Sequence, residues 1–374
     1  MLFAYQLEPD GLIKAFAAHP PEGFVLLEGG GRDGPGGSVA PAFAAPFDLL
    51  TTADDDLKRR AARLPLFRHW GRWLCIRTAF VGSTVSEYTL MPRSGLPRTL
   101  VARLLERWGK GFRLLVVKDI PFASPLLSAA DNLHAENLVR ACVEAGCIMV
   151  EGQALAYVPV DFASIDAYLA RLSSSRRQNL RRKLRSRADL EVRRLPTCLA
   201  CFGDDATVDA YYALYAAVYD QSELHFDRLT RGFFAAVLRD GANGGIVFEY
   251  RQAGVLVGWN LCFEVGGKLV DKYVGFRYPE ARACNLYFVS WMVNLEYAIE
   301  RGLTHYVAGW TDPEVKAQLG AKFTFTRHAV HVRNPLLRRL ARRFAGRFES
   351  DRQWREASVR SAGGHGASVE VAER

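Results

Sequence analysis

The stretch from residue 245 to residue 302 constrains the fold most, because it predicts three β-strands joined by tight turns and then one long helix. The strands span residues 245–250, 255–264 and 268–276, and the two turns between them contain Gly254 and the Gly266–Gly267 pair. The apolar segment 285–301 follows, and Gly302 is typical of the position after a helix. A strand meander followed by a long helix indicates a mixed sheet with helices packed on its faces.

The flanking segments extend this pattern. A basic helix is predicted over residues 166–187, a short strand over 190–194, and helices over 207–219 and 231–239. After the long helix come a strand at 304–309, a short helix at 313–319 and a last strand at 322–332. The first 150 residues also alternate between strand and helix patterns; they contain a predicted loop at 29–46, a helix at 54–63 and a hairpin of strands at 73–80 and 85–91. The fold class is therefore α/β.

Length and composition bound the organisation. The 374 residues, 49% apolar and 24% charged, are typical of a soluble protein with two ordinary domains. We expect an N-terminal domain at 1–155, a C-terminal domain at 156–335 and a basic, partly disordered tail at 336–374. We expect a cytoplasmic protein, since no segment has the apolar length of a membrane span and no secretory signal is evident. The seven cysteines are scattered and do not suggest a disulfide framework. Cys198 and Cys201 form a CxxC pair, but no second ligand pair lies at zinc-site spacing, so no metal is expected.

Positive charge is concentrated in two places. Residues 171–194 contain ten Lys or Arg, residues 333–355 contain eight Arg, and the whole chain has a net charge of +9. Such blocks favour anionic partners, namely coenzyme phosphates, RNA or an anionic membrane, although a solvated helix surface is the alternative. No aromatic residues interleave the first block, so base stacking and specific DNA binding are not expected. An apolar stripe among the arginines after residue 335 suggests peripheral attachment to the inner membrane.

The predicted element order over residues 155–335 resembles that of the GNAT acyltransferase superfamily, in particular its FemAB-like branch. Two segments carry the resemblance: SSSRRQNLRRKLR at 173–185 and YVAGWTDPEVKAQLGAKF at 306–323. The resemblance implies that the first half is a degenerate second copy, which gives two GNAT-like domains, each with a mixed central sheet flanked by helices. It also implies an N-acyltransferase without a tightly bound cofactor. The donor would be acyl-CoA or aminoacyl-tRNA, and the acceptor an amine on a cell-envelope precursor or another polar metabolite.

The predicted donor site lies in the turn RYPEARACN at residues 277–285. Acetyl-CoA-binding members of the superfamily have a glycine-rich turn here, and this chain has no glycine in it. Arg277 and Arg282 supply positive charge instead, and backbone amides at the start of the long helix could bind a phosphate. The predicted amides are those of Ala283, Cys284, Asn285 and Leu286.

Three residues are candidates for the chemistry. Asp271 lies inside an otherwise apolar strand and is the candidate general base, unless it forms a structural salt bridge. Asp312 precedes Pro313 and could act at the site or cap the short helix. Lys316 matches the lysine of the FemAB-like pattern and could neutralise a phosphate or carboxylate. No nucleophile triad is visible, so direct attack by the acceptor amine is expected.

Other polar residues near these positions could contact the substrate. The candidates are Lys272, Trp259, Asn260, Ser290 and Asn294. The alternatives are a carboxylate partner for Lys272, a core position for Trp259, and a buried hydrogen bond for Ser290 and Asn294. We expect the site where the C-terminal strands splay apart. The rival function is a non-catalytic binding protein, which would be favoured if Asp271 were sealed in a salt bridge.

Overall fold

A computed structural model describes residues 3–27, 40–49, 63, 74–222 and 226–344. The strands are β1 (Phe3–Ala4), β2 (Val25–Leu26), β3 (Ala42–Asp48), β4 (Cys75–Val81), β5 (Met91–Pro92), β6 (Leu114–Phe122), β7 (Ile148–Pro159), β8 (Glu191–Pro196), β9 (Gly245–Gln252), β10 (Val255–Val265), β11 (Lys268–Phe276), β12 (His305–Gly309) and β13 (Lys322–Val332). The helices are α1 (Asp10–Ala18), α2 (Pro97–Leu104), α3 (Ala129–Glu144), α4 (Ile165–Ala170), α5 (Ser174–Lys183), α6 (Asp205–Gln221), α7 (Arg231–Leu238), α8 (Glu280–Ala283), α9 (Leu286–Glu300), α10 (Pro313–Gln318) and α11 (Pro335–Phe344).

Eleven of the strands form one continuous mixed sheet in the order β2-β3-β4-β6-β13-β7-β12-β11-β10-β9-β8. Its pairs are antiparallel except for β4 with β6 and β11 with β12. The predicted α/β fold with a mixed sheet flanked by helices is confirmed. The two halves share the sheet because β13, the last strand, lies between β6 and β7. Residue 155 lies inside β7, and the division into domains there remains a prediction.

Three predictions for the first half, and the predicted C-terminal tail, need revision or lie outside the described residues. The predicted loop at 29–46 ends in strand β3, where Phe43 is fully buried and stacks on Phe80. The predicted hairpin does not form, since β4 pairs with β3 and β6 instead. Most of the predicted helix at 54–63 and the tail after residue 344 fall outside the described residues.

The two parallel strand pairs open toward each other across the middle of the sheet. Pairing between β11 and β12 ends at Val270 and Val307, and pairing between β4 and β6 ends at Val81 and Val117. Strand β13 runs in the same direction as β12, and β6 runs antiparallel to both. The gap beyond the β11–β12 pairing and the gap beyond the β4–β6 pairing therefore open toward each other, with β7 and β13 between them. The central region of the sheet is therefore where polar side chains from both halves meet.

Apolar packing holds the C-terminal part of the sheet rigid. On one face α6 and α7 contribute an aromatic cluster in which Phe234 contacts both Trp259 and Tyr273. On the other face α9 buries Leu286, Leu295 and most of its remaining apolar residues. Each fully buried large side chain contributes about 1.5–3 kcal/mol, so these layers fix the strand ends that carry the site.

Candidate active site

The candidate site lies at the opening between β11 and β12. Asp271 is the first residue of β11 beyond the paired region. On the other side of the gap, Gly309 ends β12 with a positive φ of 78°. A side-chain carbon added to Gly309 would lie 3.9 Å from the Asp271 carbonyl oxygen and 4.0 Å from Lys316 Nζ. The Asp271 main chain and Lys316 Nζ therefore both lie close to Gly309 at the strand opening.

The Asp271 carboxylate is held by neutral donors. Oδ2 accepts hydrogen bonds from Tyr306 Oη and from Asn294 Nδ2, both at 2.9 Å. Oδ1 accepts longer contacts, each of 3.5 Å, from Asn260 Nδ2 and Cys262 Sγ. Burial raises the pKa of Asp271 to about 6, although the hydrogen bond from Tyr306 opposes the rise. A carboxylate with this pKa can accept a proton near neutral pH.

Asp271 is partly exposed and forms no ion pair within the described part of the chain. The salt bridge that would have favoured a purely structural role is absent from that part. The carboxylate is thus held by neutral hydrogen bonds, in a residue that is only partly buried. This arrangement suits a group that must meet a substrate.

Two of the predicted substrate residues hold Asp271 rather than line an open surface. Asn260 and Asn294 are fully buried and joined by a hydrogen bond of 2.9 Å. Tyr250 donates to Asn260, and Asn294 donates to Tyr306 as well as to Asp271. Ser290 is not part of this network, because its hydroxyl donates to the Tyr287 carbonyl one turn earlier in α9. Tyr306 was missed from the sequence, where a tyrosine in a strand indicates only a core position.

Lys316 is the buried cation of the site. Its residue is 4% exposed, and it forms no ion pair with any described residue. Burial lowers the pKa of Lys316 to about 8, and the nearby charges of Asp312, Asp271 and Glu87 partly offset that effect. A lysine in a surface position would keep its ordinary pKa. The ammonium is therefore desolvated and available to a negative group that enters the gap.

The predicted cap of α10 is only half correct. Asp312 occupies the N-cap position, but its side chain accepts no hydrogen bond from the helix, and its φ of 52° is left-handed. Asn285 stands at the start of α9 in the same way, with a φ of 52° and no side-chain cap. Left-handed backbone is uncommon outside glycine and clusters at functional sites. The side chains of both residues are at least partly exposed.

Lys272 does not contact the candidate site. Its side chain points to the opposite face of β11 and is 5% exposed. Its Nζ pairs with Glu87 at 2.5 Å and with Glu8 at 3.4 Å. Burial alone would lower the pKa of Lys272, but the two carboxylates more than compensate and raise it. The substrate role is wrong for this geometry, and the carboxylate-partner alternative is correct.

Most of the backbone amides that were predicted to bind a phosphate are already hydrogen-bonded within the protein. The amides of Ala283, Cys284 and Asn285 each donate to a backbone carbonyl of α8 or of Pro279 just before it, at 3.0–3.2 Å. The short helix fills the place where a glycine-rich turn would leave free amides. Arg277 is exposed and donates to the Leu256 carbonyl, and Arg282 donates to Gln221 and stacks over Tyr278. This turn can offer guanidinium charge but few free amides.

Two other predicted contacts are core residues. Trp259 is fully buried among Tyr211 and Phe234, and its indole donates to the Tyr211 carbonyl at 3.0 Å. Leu286, which was predicted to contribute its backbone amide, is also fully buried. The Trp259 side chain cannot reach a substrate, and the Leu286 amide is not exposed to one, since both residues belong to the apolar layers on the faces of the sheet.

Comparison with known proteins decides the family. The FemAB-like family, described as "Peptidoglycan biosynthesis/recognition", matches residues 118–363. The chain belongs to the FemAB-like family. This membership confirms the predicted superfamily branch and the transferase class. No curated protein matches the sequence.

Two solved structures share the fold of this FemAB-like chain. FemX is 12% identical, with 91% of this chain and 96% of that chain covered and a TM-score of 0.52. L-PGS from Bacillus licheniformis is 10% identical, with 92% and 98% covered and a TM-score of 0.51. At such low identity the similarity shows the fold over nearly the whole of each chain.

Proposed function

We propose that this FemAB-like protein transfers an aminoacyl group from aminoacyl-tRNA to an amine of a cell-envelope precursor, at the opening between β11 and β12. One observation carries the proposal: Lys316 is buried and unpaired among the described residues, close to Asp271, a partly exposed residue whose carboxylate pKa is raised by burial. Burying a lone charge is costly unless a partner compensates it. An unpaired ammonium here is best explained by a substrate that brings negative charge.

The two side chains suit opposite tasks in acyl transfer. The acceptor nitrogen attacks the ester carbonyl carbon, a C–N bond forms, and the C–O bond to the terminal ribose of the tRNA breaks. Asp271 takes the proton that the attacking amine loses, and that proton then passes to the leaving ribose oxygen. The Lys316 ammonium stabilises the oxyanion that develops on the carbonyl oxygen.

The surroundings favour tRNA over acyl-CoA as the donor. The amides of the 283–285 turn are already hydrogen-bonded, so a coenzyme pyrophosphate would lack its usual cradle. The basic helix α5 continues into a 3₁₀ turn at Leu184–Asp189, which is tied to the candidate donor turn by a hydrogen bond from Ser186 Oγ to the Cys284 carbonyl, at 2.5 Å. Arg176 and Arg185 are exposed on this segment. Exposed guanidinium groups on the segment that contacts the candidate donor turn suit the phosphates of a tRNA acceptor end.

The acceptor class rests on the family. The family description names peptidoglycan biosynthesis or recognition, and FemX and L-PGS share the fold. The rival, a non-catalytic binding protein, would be favoured by a sealed Asp271. The partial exposure of Asp271 and its lack of an ion pair in the described region favour the enzyme.

A donor competition tests the proposal. Purified protein is incubated with tRNA charged with radiolabelled amino acids, or with radiolabelled acetyl-CoA, together with a peptidoglycan precursor peptide that has a free side-chain amine. The proposal expects label on the peptide from charged tRNA only. Label from acetyl-CoA alone would reverse the donor assignment, and tight binding of either donor without transfer would support the binding protein.

A further inference from the structure

The last described helix, α11, packs against the protein with the side that carries Arg338 and Arg342. Arg338 Nε donates to the Val332 carbonyl at 2.8 Å, and Arg342 Nη2 donates to the Gly146 carbonyl at 3.2 Å. A helix packed on a protein surface ordinarily places its apolar stripe inward and its arginines in water. Here the guanidinium groups of one face bind backbone carbonyls of the body.

The opposite face of α11 presents leucines to solvent. Leu336, Leu337 and Leu340 are 72%, 56% and 53% exposed. Their spacing places them on one side of the helix, across from Arg338 and Arg342. Single exposed leucines are common, but a stripe of three on one short helix marks an interaction surface.

The start of the helix fixes this orientation. The Asn334 side chain accepts hydrogen bonds from the amides of Leu336 and Leu337, at 2.9 and 3.2 Å, and Pro335 occupies the first helical turn. This cap and the two arginine contacts hold both ends of α11. The leucines therefore face outward as a consequence of anchoring.

Exposed cations surround the leucine stripe. Arg339 and Arg343 flank it on α11 itself. Arg333, just before the helix, is exposed and donates to the Lys110 carbonyl at 3.0 Å, while its amide donates to the Arg113 carbonyl at 3.0 Å. Lys110 and Arg113 are exposed as well. An apolar stripe bordered by fixed positive charge matches an anionic lipid surface, where acyl chains receive the leucines and headgroups the cations.

We infer that α11 and its neighbouring cations dock the protein reversibly on an anionic membrane, with Leu336, Leu337 and Leu340 inserted at the headgroup boundary. Among the described residues no helix is both long and apolar enough to cross a bilayer. The contact is therefore interfacial, and it does not depend on which reaction the β11–β12 opening catalyses. It would bring that opening to acceptors that are held at a membrane.

Vesicle co-sedimentation of the full chain tests the inference. Vesicles of phosphatidylcholine, with and without phosphatidylglycerol, are compared at low and high salt. We expect binding to the anionic vesicles only, weakened by salt, and reduced at least about tenfold in the double variant Leu336→Gln/Leu340→Gln. The control is Leu133→Gln, because Leu133 is 56% exposed but lies on α3. Circular dichroism and melting temperature confirm that each variant folds.

Three outcomes would overturn the inference. One is equal vesicle binding by the leucine variant and the wild-type protein. Another is that a chain ending at residue 344 binds the vesicles and the full chain does not; the leucine stripe would then be the binding surface for the segment after residue 344. The third is a dimer, seen by analytical ultracentrifugation, that the leucine substitutions dissociate while vesicles bind neither form; this would assign the stripe to a second copy.

Discussion

Lys316 and Asp271 lie beside the same strand opening without forming an ion pair with each other. Each has a pKa displaced toward neutrality, to about 8 for Lys316 and about 6 for Asp271, and burial is the largest cause in both cases. A direct salt bridge would have moved both values the other way. Asp271 and Lys316 are therefore a proton acceptor and a cation that act on the same opening without neutralising each other directly.

The first prediction concerns Asp271→Asn. The amide keeps the volume of the carboxylate and can still accept a hydrogen bond from Tyr306 or Asn294, so the melting temperature should change little. Turnover should fall by about 100- to 10,000-fold, the usual contribution of a positioned acid–base group. Loss of stability in proportion to loss of activity would instead identify Asp271 as a structural residue. The matched control is Ser290→Ala, because Ser290 is a buried polar residue of α9 whose hydroxyl lies outside the Asp271 network.

The second prediction is a bell-shaped pH profile. Transfer requires Asp271 deprotonated and Lys316 protonated, so kcat/KM should rise through about pH 6 and fall through about pH 8. The acidic limb should be lost from the residual activity of Asp271→Asn. Lys316→Arg should shift the alkaline limb upward, since arginine stays protonated. A profile unaltered by both substitutions would place the ionising groups elsewhere.

The third prediction concerns the stability of Lys316→Met. The folded pKa of about 8 lies below the ordinary lysine value of 10.5, so the unfolded chain binds the proton more tightly at neutral pH. The substitution should therefore stabilise the protein at pH 7, by up to about 3 kcal/mol. The stability gain of the variant over the wild-type protein should decrease as the pH rises from about 8 to 10.5, because the wild-type lysine loses its proton first in the folded state and then in the unfolded state. Urea unfolding at several pH values measures this, and a destabilised variant at pH 7 would mean that Lys316 has a structural partner.

The fourth prediction concerns Lys272→Met. Removal of this cation leaves Glu8 and Glu87 buried without compensation, and the free energy of unfolding should fall by about 3–5 kcal/mol. Burial already raises the pKa of Glu8 to about 7. Acidification below that value neutralises the carboxylate, so the deficit should narrow at lower pH. The double variant Lys272→Met/Glu87→Gln should recover part of the lost free energy of unfolding. If the double variant were as unstable as Lys272→Met alone, the unpaired carboxylates would not be the cause of the instability.

The fifth prediction tests the donor. The double variant Arg176→Gln/Arg185→Gln should raise KM for charged tRNA. The slope of log affinity for tRNA against log salt concentration should also become less steep by about 1.4, since each lost phosphate contact with a single strand contributes about 0.7. Arg98→Gln is the control, because Arg98 is an exposed arginine on α2 that pairs with Glu144. Equal effects of both variants would indicate nonspecific attraction.

The sequence predicted the C-terminal strands because strand patterning and turn glycines are local signals. It could not predict that Lys272 pairs with Glu8 and Glu87, which lie far away along the chain. The insertion of β13 between β6 and β7 is likewise a long-range choice. The donor turn was misjudged because the glycine-free run after Pro279 folds as helix α8, and hydrogen bonds of this helical turn occupy the amides of Ala283, Cys284 and Asn285.

The most direct test is a single-turnover assay with aminoacyl-tRNA carrying a radiolabelled amino acid and an amine-bearing peptidoglycan precursor peptide. Wild-type protein, Asp271→Asn and Lys316→Met are compared at pH 7, after their folding is verified by melting temperature. The account predicts labelled peptide with the wild-type protein and at least about a 100-fold slower transfer with each folded variant. Transfer at the wild-type rate by either variant would contradict the assignment of the reaction to the opening between β11 and β12.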